Sequence, residues 1–178
     1  MVPVFIVPDG WNKPTAEMVA VVKQASEQFE VPEEILFGII RKESNFKTKL
    51  DGYKHGGNSE MFRKSYERYK DKVIPGKNPQ KITWGMMFKT PESWRPRGLT
   101  QIMPYHIVGK AGGVAPGAPL SDLYDVPKVI RLAAAYLKAL HDKNANWTEA
   151  VRIYNGSASY ARQVAAYMVE LKKAQGTA

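Results

Sequence analysis

Cysteine is absent from the 178 residues, which excludes disulfides, thiol nucleophiles and cysteine-ligated metals. Histidine is scarce. The three copies, His55, His106 and His141, are far apart and none falls in an H-E-x-x-H pattern, so a zinc site is not expected. No G-x-S-x-G elbow is present to support a Ser-His-Asp triad. No apolar run is long enough to span a membrane. The stretch from Met1 to Pro8 is apolar, but it is short, interrupted by proline and without a basic flank, so it does not read as a secretory signal. Convincing strand patterns and internal repeats are also missing.

What is present suits one globular domain over residues 1–178. The hydrophobic fraction of 44% is ordinary, and the length allows a sizeable core. The net charge is +9 and unevenly spread: residues 60–97 hold ten Lys/Arg against four Asp/Glu. A basic segment of this kind favours a polyanionic partner, whether nucleic acid, an anionic membrane surface or an anionic cell-wall polymer, or it is simply a solvated face. No helix-turn-helix or other nucleic-acid motif accompanies the charge, so specific nucleic-acid binding is not expected.

Helical periodicity dominates. Residues 14–30 carry Met18, Val21, Val22, Ala25 and Phe29 on one stripe, with Pro14 suited to a first turn. Pro32 opens a second helix. Glu33 and Glu34 sit in its first turn and Arg41 and Lys42 in its last, an order that matches the helix dipole at both ends. It is expected to stop between Ser44 and Phe46. Residues 59–72 are compatible with an exposed, charged helix. Residues 73–97 look irregular, with Pro75, Pro79, Pro91 and Pro96 beside Trp84, Phe88 and Trp94. The Gly- and Pro-rich stretch 109–124 reads as loop. Asp125 then caps a helix over 126–141, and Asn146 with Glu149 forms a variant capping box for the next. A last helix runs from about Ser159 to Lys173. The fold class is therefore mostly α, a single helical domain with a long irregular insertion at 51–97.

Three places in this pattern carry polar residues where core or plain surface would be expected. In the second helix, Leu36, Ile39, Ile40 and Glu43 fall at i, i+3, i+4 and i+7, which puts a carboxylate on an apolar face. A buried carboxylate must be paired, protonated or used, although a Glu just past the last buried turn is also an ordinary feature. The other two places are Thr100-Gln101 and Tyr154-Asn155, the latter on a stripe with Trp147, Ala150 and Val151.

The segments Glu43-Ser44-Asn45-Phe46, Gly98-Leu99-Thr100-Gln101-Ile102-Met103-Pro104, Tyr136-Leu137 and Ile153-Tyr154-Asn155-Gly156 occur in that order. Taken together, over roughly residues 16–170, they resemble the soluble-lytic-transglycosylase (SLT) domain of the lysozyme-like superfamily. Tyr160 matches a tyrosine often found after the Tyr-Asn motif. The sequence departs from the family pattern at Thr100, where Met is usual, and at Ile153 and Gly156-Ser157, where small residues flank Tyr-Asn. It also departs in the length of 51–97 and in the lack of an Asn-Ile pair before the long helix.

The resemblance implies a lysozyme-like helical fold and peptidoglycan glycan strands as partner. It implies Glu43 as the catalytic acid and base, helped by the N-acetyl group of the substrate, with 1,6-anhydro-N-acetylmuramic acid ends as product. Ser44, Gln101, Met103, Tyr154, Asn155 and Tyr160 would bind or position the substrate, Tyr154 also helping to orient Glu43. No cofactor or metal is implied, and a monomer is expected. Position on an apolar face and at a helix C-terminus both predict a raised pKa for Glu43. Two other readings stay open. One is a muramidase similar to goose-type lysozyme, for which Asp51 or Glu60 could be a second carboxylate. The other is a non-catalytic peptidoglycan-binding module. The lack of a recognisable leader points to a bacteriophage cell-wall-degrading protein, an endolysin or a virion component.

If the basic segment contacts an anionic cell-wall or outer-membrane surface, neutralising Arg63, Lys64, Arg68 and Lys70 together will weaken binding to whole sacculi and flatten its salt dependence. A sedimentation assay across a salt series reads both. Unchanged binding at low salt removes the segment from substrate recognition.

Overall fold

The computed structural model describes residues 5–48, 98–102 and 120–176. The insertion 51–97, with its candidate helix at 59–72 and the carboxylates Asp51 and Glu60, lies outside the described residues, as does Met103. Among the described residues there are five α-helices and no strand: α1 (Ala16–Phe29), α2 (Glu33–Ser44), α3 (Val126–Asn144), α4 (Trp147–Asn155) and α5 (Ala158–Gln175). The mostly α class expected from periodicity is what the described residues adopt.

Local chemistry explains where four of the five helices begin. The Thr15 side chain accepts from Met18 N–H, Asp125 from Lys128 N–H, Asn146 from Glu149 N–H and Ser157 from Tyr160 N–H, each satisfying an orphan donor of the first turn. Four details differ from the periodic reading. Pro14 precedes the Thr15 cap instead of lying in the first turn. Residues 120–124, read as loop, wind into a 3₁₀ turn. The third helix continues three residues past 141, ending where Ala145 takes a left-handed conformation. The capping box at Asn146 forms only one way: Glu149 instead chelates the Arg152 guanidinium at 2.6 and 2.7 Å, because that charged partner sits one turn along the same helix.

Helix α2 is the centre of the bundle. Ile35, Leu36, Phe37, Gly38, Ile39 and Ile40 are all buried, so its middle is enclosed on every side, not along one stripe. It packs chiefly against α5, while α1 lies on α3, α3 on α4 and α4 on α5. Gly38 sets the α2–α5 spacing: a Cβ there would stand 3.0 Å from Val164 Cγ1 and 3.2 Å from its carbonyl oxygen. This close approach brings the C-terminal end of α2 against the N-terminal end of α5.

The turn at residues 98–101 is pinned to the 3₁₀ segment. Gly98 has φ +74, and a Cβ on it would lie 1.8 Å from the carbonyl oxygen of Leu123. Only glycine fits both the dihedral and the contact. Gly98→Ala should therefore cost more than about 2 kcal/mol of stability in urea denaturation, from positive-φ strain and displaced backbone together. A wild-type midpoint would show that the turn does not rest on Leu123.

Candidate active site

Glu43 and Ser44 are the last two residues of α2. The chain turns sharply there, with Asn45 at φ 47 and Phe46 at φ 66, two consecutive left-handed residues. Such positions store roughly 1–3 kcal/mol each, the more so for a bulky side chain like Phe, and they collect at functional sites. The last turn of α2 thus ends where the chain is strained.

Glu43 is half-buried at the end of α2, and its pKa is pushed up from 4.5 to about 7. Burial is the main cause, since the charged form loses its hydration. The Tyr160 hydroxyl and the positive charge of Lys42 oppose the rise. Tyr160 stands in the first turn of α5, is 4% exposed, and has a buried hydroxyl with no hydrogen bond of ordinary length. That hydroxyl nonetheless faces Glu43 closely enough to favour the carboxylate, and burial beside the carboxylate drives the phenol far above its usual range.

Tyr154 completes the wall. Its hydroxyl is deeply enclosed and donates to the Thr100 carbonyl at 2.9 Å, not to the carboxylate. Its ring lies nearly parallel to Tyr160, centroids 6.5 Å apart, and 5.5 Å from Tyr136. Burial and the neighbouring Glu43 charge both hold its proton on. Tyr154 thus ties α4 to the 98–101 turn through a backbone oxygen. Gln101, at φ 49, bonds the Gly98 carbonyl through Nε2 at 2.8 Å and so closes that turn.

Ser44 is buried, and its hydroxyl donates to the Ile40 carbonyl at 3.1 Å, leaving only oxygen lone pairs for another partner. Asn155 ends α4 with an exposed side chain. The structure therefore brings Tyr154 and Tyr160 to the Glu43 carboxyl, and Tyr154 is bonded in turn to the 98–101 segment. Two participants were not picked out as site residues from the sequence. Tyr136 packs against Tyr154 with the two rings tilted by 42°; the Tyr136-Leu137 pair of the family pattern was the available signal. The Thr100 side-chain hydroxyl is buried without a hydrogen-bond partner.

Among the described residues no cluster of three His, Asp or Glu side chains could hold a metal ion. A hollow of about 300 Å³ lined by Phe5, Val7, Pro14 and Val19, with Lys13 and Lys23 at its edge, touches none of these residues. Its lining is mainly apolar and includes no carboxyl.

The raised pKa couples stability to pH. Between about 4.5 and 7 the folded state binds the Glu43 proton more tightly than the unfolded chain does. The stabilisation is complete below that window and is lost as pH rises through it. The rise corresponds to roughly 3 kcal/mol as an upper limit. Glu43→Gln should match the wild type in urea denaturation near pH 4 and exceed it near pH 8 by about 1–3 kcal/mol. Equal stabilities at both values would place the carboxyl in water.

The family described as the transglycosylase SLT domain matches residues 20–175, a span that includes Glu43-Ser44, the 98–101 turn and the segment from Tyr154 to Tyr160. Neither the curated proteins nor the solved structures compared with the chain include a match. The match covers most of the chain, its helical architecture agrees with it, and the protein belongs to the transglycosylase SLT domain family of the lysozyme-like superfamily.

Proposed function

We propose that the protein is a lytic transglycosylase that cleaves the β-1,4 bond between N-acetylmuramic acid and N-acetylglucosamine, with Glu43 as its only catalytic carboxyl. Family membership supports peptidoglycan cleavage of the lytic-transglycosylase type in general. The finer reading rests on one observation: Glu43 is held near pKa 7 by burial, and no other carboxylate of the described residues contributes to its acidity.

A carboxyl with that acidity is present in both forms near neutral pH, so one group can serve in two successive steps. As the acid, Glu43 gives its proton to the glycosidic oxygen while the C1–O bond breaks and the electron pair leaves with N-acetylglucosamine. The carbonyl oxygen of the muramic N-acetyl group bonds to C1 from the opposite side. As the base, the Glu43 carboxylate then removes the C6 hydroxyl proton. O6 bonds to C1, the acetamido oxygen departs, and a 1,6-anhydro ring results. No water is consumed and Glu43 ends protonated, as it began. Substrate assistance of this kind is a recognised alternative to the paired-carboxylate scheme.

The remaining roles are assigned on position. Tyr160 faces the carboxyl and Asn155 is exposed at the same end of the bundle, suited to a substrate amide. Tyr154 holds the 98–101 turn against α4, and with it Gln101, assigned to the sugar. Ser44 offers an acceptor oxygen, and Met103 is assigned to the cleft by its place in the motif. The hydrolytic reading has one observation in its favour: the unpartnered buried Thr100 hydroxyl is a group suited to hold a water.

Digestion of purified sacculi, followed by muropeptide masses without borohydride reduction, separates the two. Predominantly anhydro ends, lighter by one water, are expected; predominantly reducing ends would establish a muramidase. Glu43→Gln should lower turnover by at least about 10²-fold, the usual scale of general acid–base catalysis. Retention of a tenth of wild-type activity would remove Glu43 from the mechanism.

A further inference from the structure

Residues 5–13 precede the family match, which begins at residue 20, yet they are bonded to the end of α2 that carries Glu43. Asn12 donates two hydrogen bonds to Asn45. Its backbone N–H donates to Asn45 Oδ1 at 2.9 Å, and its Nδ2 donates to the Asn45 carbonyl at 2.9 Å. On the other side of Glu43, Arg41 Nη2 donates to the Gly10 carbonyl at 3.1 Å. The Arg41 guanidinium lies 5.9 Å from the Trp11 ring and 5.1 Å from Tyr167 of α5. Trp11 in turn donates through Nε1 to Glu170 of α5 at 2.9 Å and packs its ring 5.7 Å from Phe46.

Three consecutive residues thus grip positions 41, 45 and 46 and fasten them to α5. The same three positions frame the catalytic turn. Asn45 and Phe46 are the left-handed pair, and Phe46 is a residue that avoids this conformation unless its surroundings impose it. Its ring is buried beneath Trp11, and the Asn45 backbone is held from outside by Asn12. Without these contacts the exit from α2 would relax, and Glu43, in the final turn, would move with it.

We propose that the segment Gly10–Asn12 is a positioning clasp that holds the strained exit from α2 and thereby fixes the Glu43 carboxyl against Tyr160. Asn12 is a positioning residue, acting through Asn45. The proposal rests on Glu43 being the working carboxyl. The groups facing that carboxyl among the described residues are Lys42 on its own helix, Tyr160 on α5 and Tyr154 on α4. A loosened exit takes away the Tyr160 hydroxyl, which favours the carboxylate, but it also admits water; burial is the larger of the two effects, so the net change lowers the pKa.

The test is Asn12→Ala in the full chain, with kcat and KM on isolated glycan strands and the pH profile of kcat. Asn12→Asp keeps the side-chain size but loses the amide donor, and takes its place should Asn12→Ala fail to fold. The expected result is a fall in kcat of about tenfold, since a displacement near 1 Å can cost up to 10²-fold, with KM within about twofold. The alkaline limb of the profile should move to lower pH. A lower melting temperature with unchanged kcat and an unmoved limb would make the clasp a plain stabilising contact and overturn the proposal. Glu43→Gln measured alongside separates the failures. An active Glu43→Gln overturns the Glu43 assignment and the clasp with it, whereas an inactive one beside an unaltered Asn12→Ala overturns the clasp alone.

Discussion

The enclosure of one carboxyl at the α2–α5 junction is the constraint on which the rest depends. Removing Glu43 from water raises its pKa to about 7, and the charged form weighs against folding above that pH. The amount, at most roughly 3 kcal/mol, is a sizeable part of a typical domain stability of about 5–15 kcal/mol. It is comparable to fully burying a single large apolar side chain, about 1.5–3 kcal/mol. The turns of α2 just before Glu43 supply several of these, with Leu36, Phe37, Ile39 and Ile40 each no more than 1% exposed. A helix enclosed on every side through its middle can therefore carry a strained, acidic end that an amphipathic surface helix could not.

The tyrosines act as spacers as much as polar groups. Stacked Tyr154 and Tyr160, with Tyr136 behind, shield one side of the carboxyl, and burial suppresses the ionisation of Tyr154 and Tyr160 themselves. The Tyr154 hydroxyl is committed to a main-chain carbonyl. The bond from α4 to the 98–101 turn is thus indifferent to which side chain stands at position 100. This explains how Thr can replace the more usual Met there while the turn keeps its place, and why the replacement shows up instead as a buried hydroxyl without a partner.

The helices were legible because their stripes and caps are local. Met18 to Ala25, Val129 to Leu140 and the caps Asp125 and Asn146 depend on spacings of three and four residues. Glu43 was legible for the same reason, as a carboxylate in step with Leu36, Ile39 and Ile40. What escaped was non-local or carried by the main chain. Asn12 and Asn45 are 33 positions apart, and nothing in either neighbourhood signals the pair. The partner of Tyr154 is a carbonyl 54 positions away, a group every residue owns. Glu149 had two partners within one turn, the Asn146 amide and the Arg152 guanidinium, and periodicity cannot rank them. The charged, two-pronged bond to Arg152 prevails.

The depth at which Glu43 is buried is bounded from both sides in the proposed reaction. Full exposure would leave the carboxyl near 4.5, ionised at neutral pH and unable to protonate a leaving oxygen. Deeper burial with nothing to oppose it would hold the proton so firmly that the carboxylate could not form to accept one from the C6 hydroxyl. Lys42 and the Tyr160 hydroxyl supply the opposing pull, one through charge and one through an O–H dipole, and the value settles between the limits. The two differ in what they demand of the structure. Lys42 is exposed and acts at a distance that tolerates motion, whereas the Tyr160 dipole weakens steeply with misalignment. The Tyr160 contribution therefore requires that the end of α2 be held still against α5. Two left-handed residues would otherwise relax at that point, which is why the fastening of residues 41, 45 and 46 belongs to the chemistry of the site as much as to its stability.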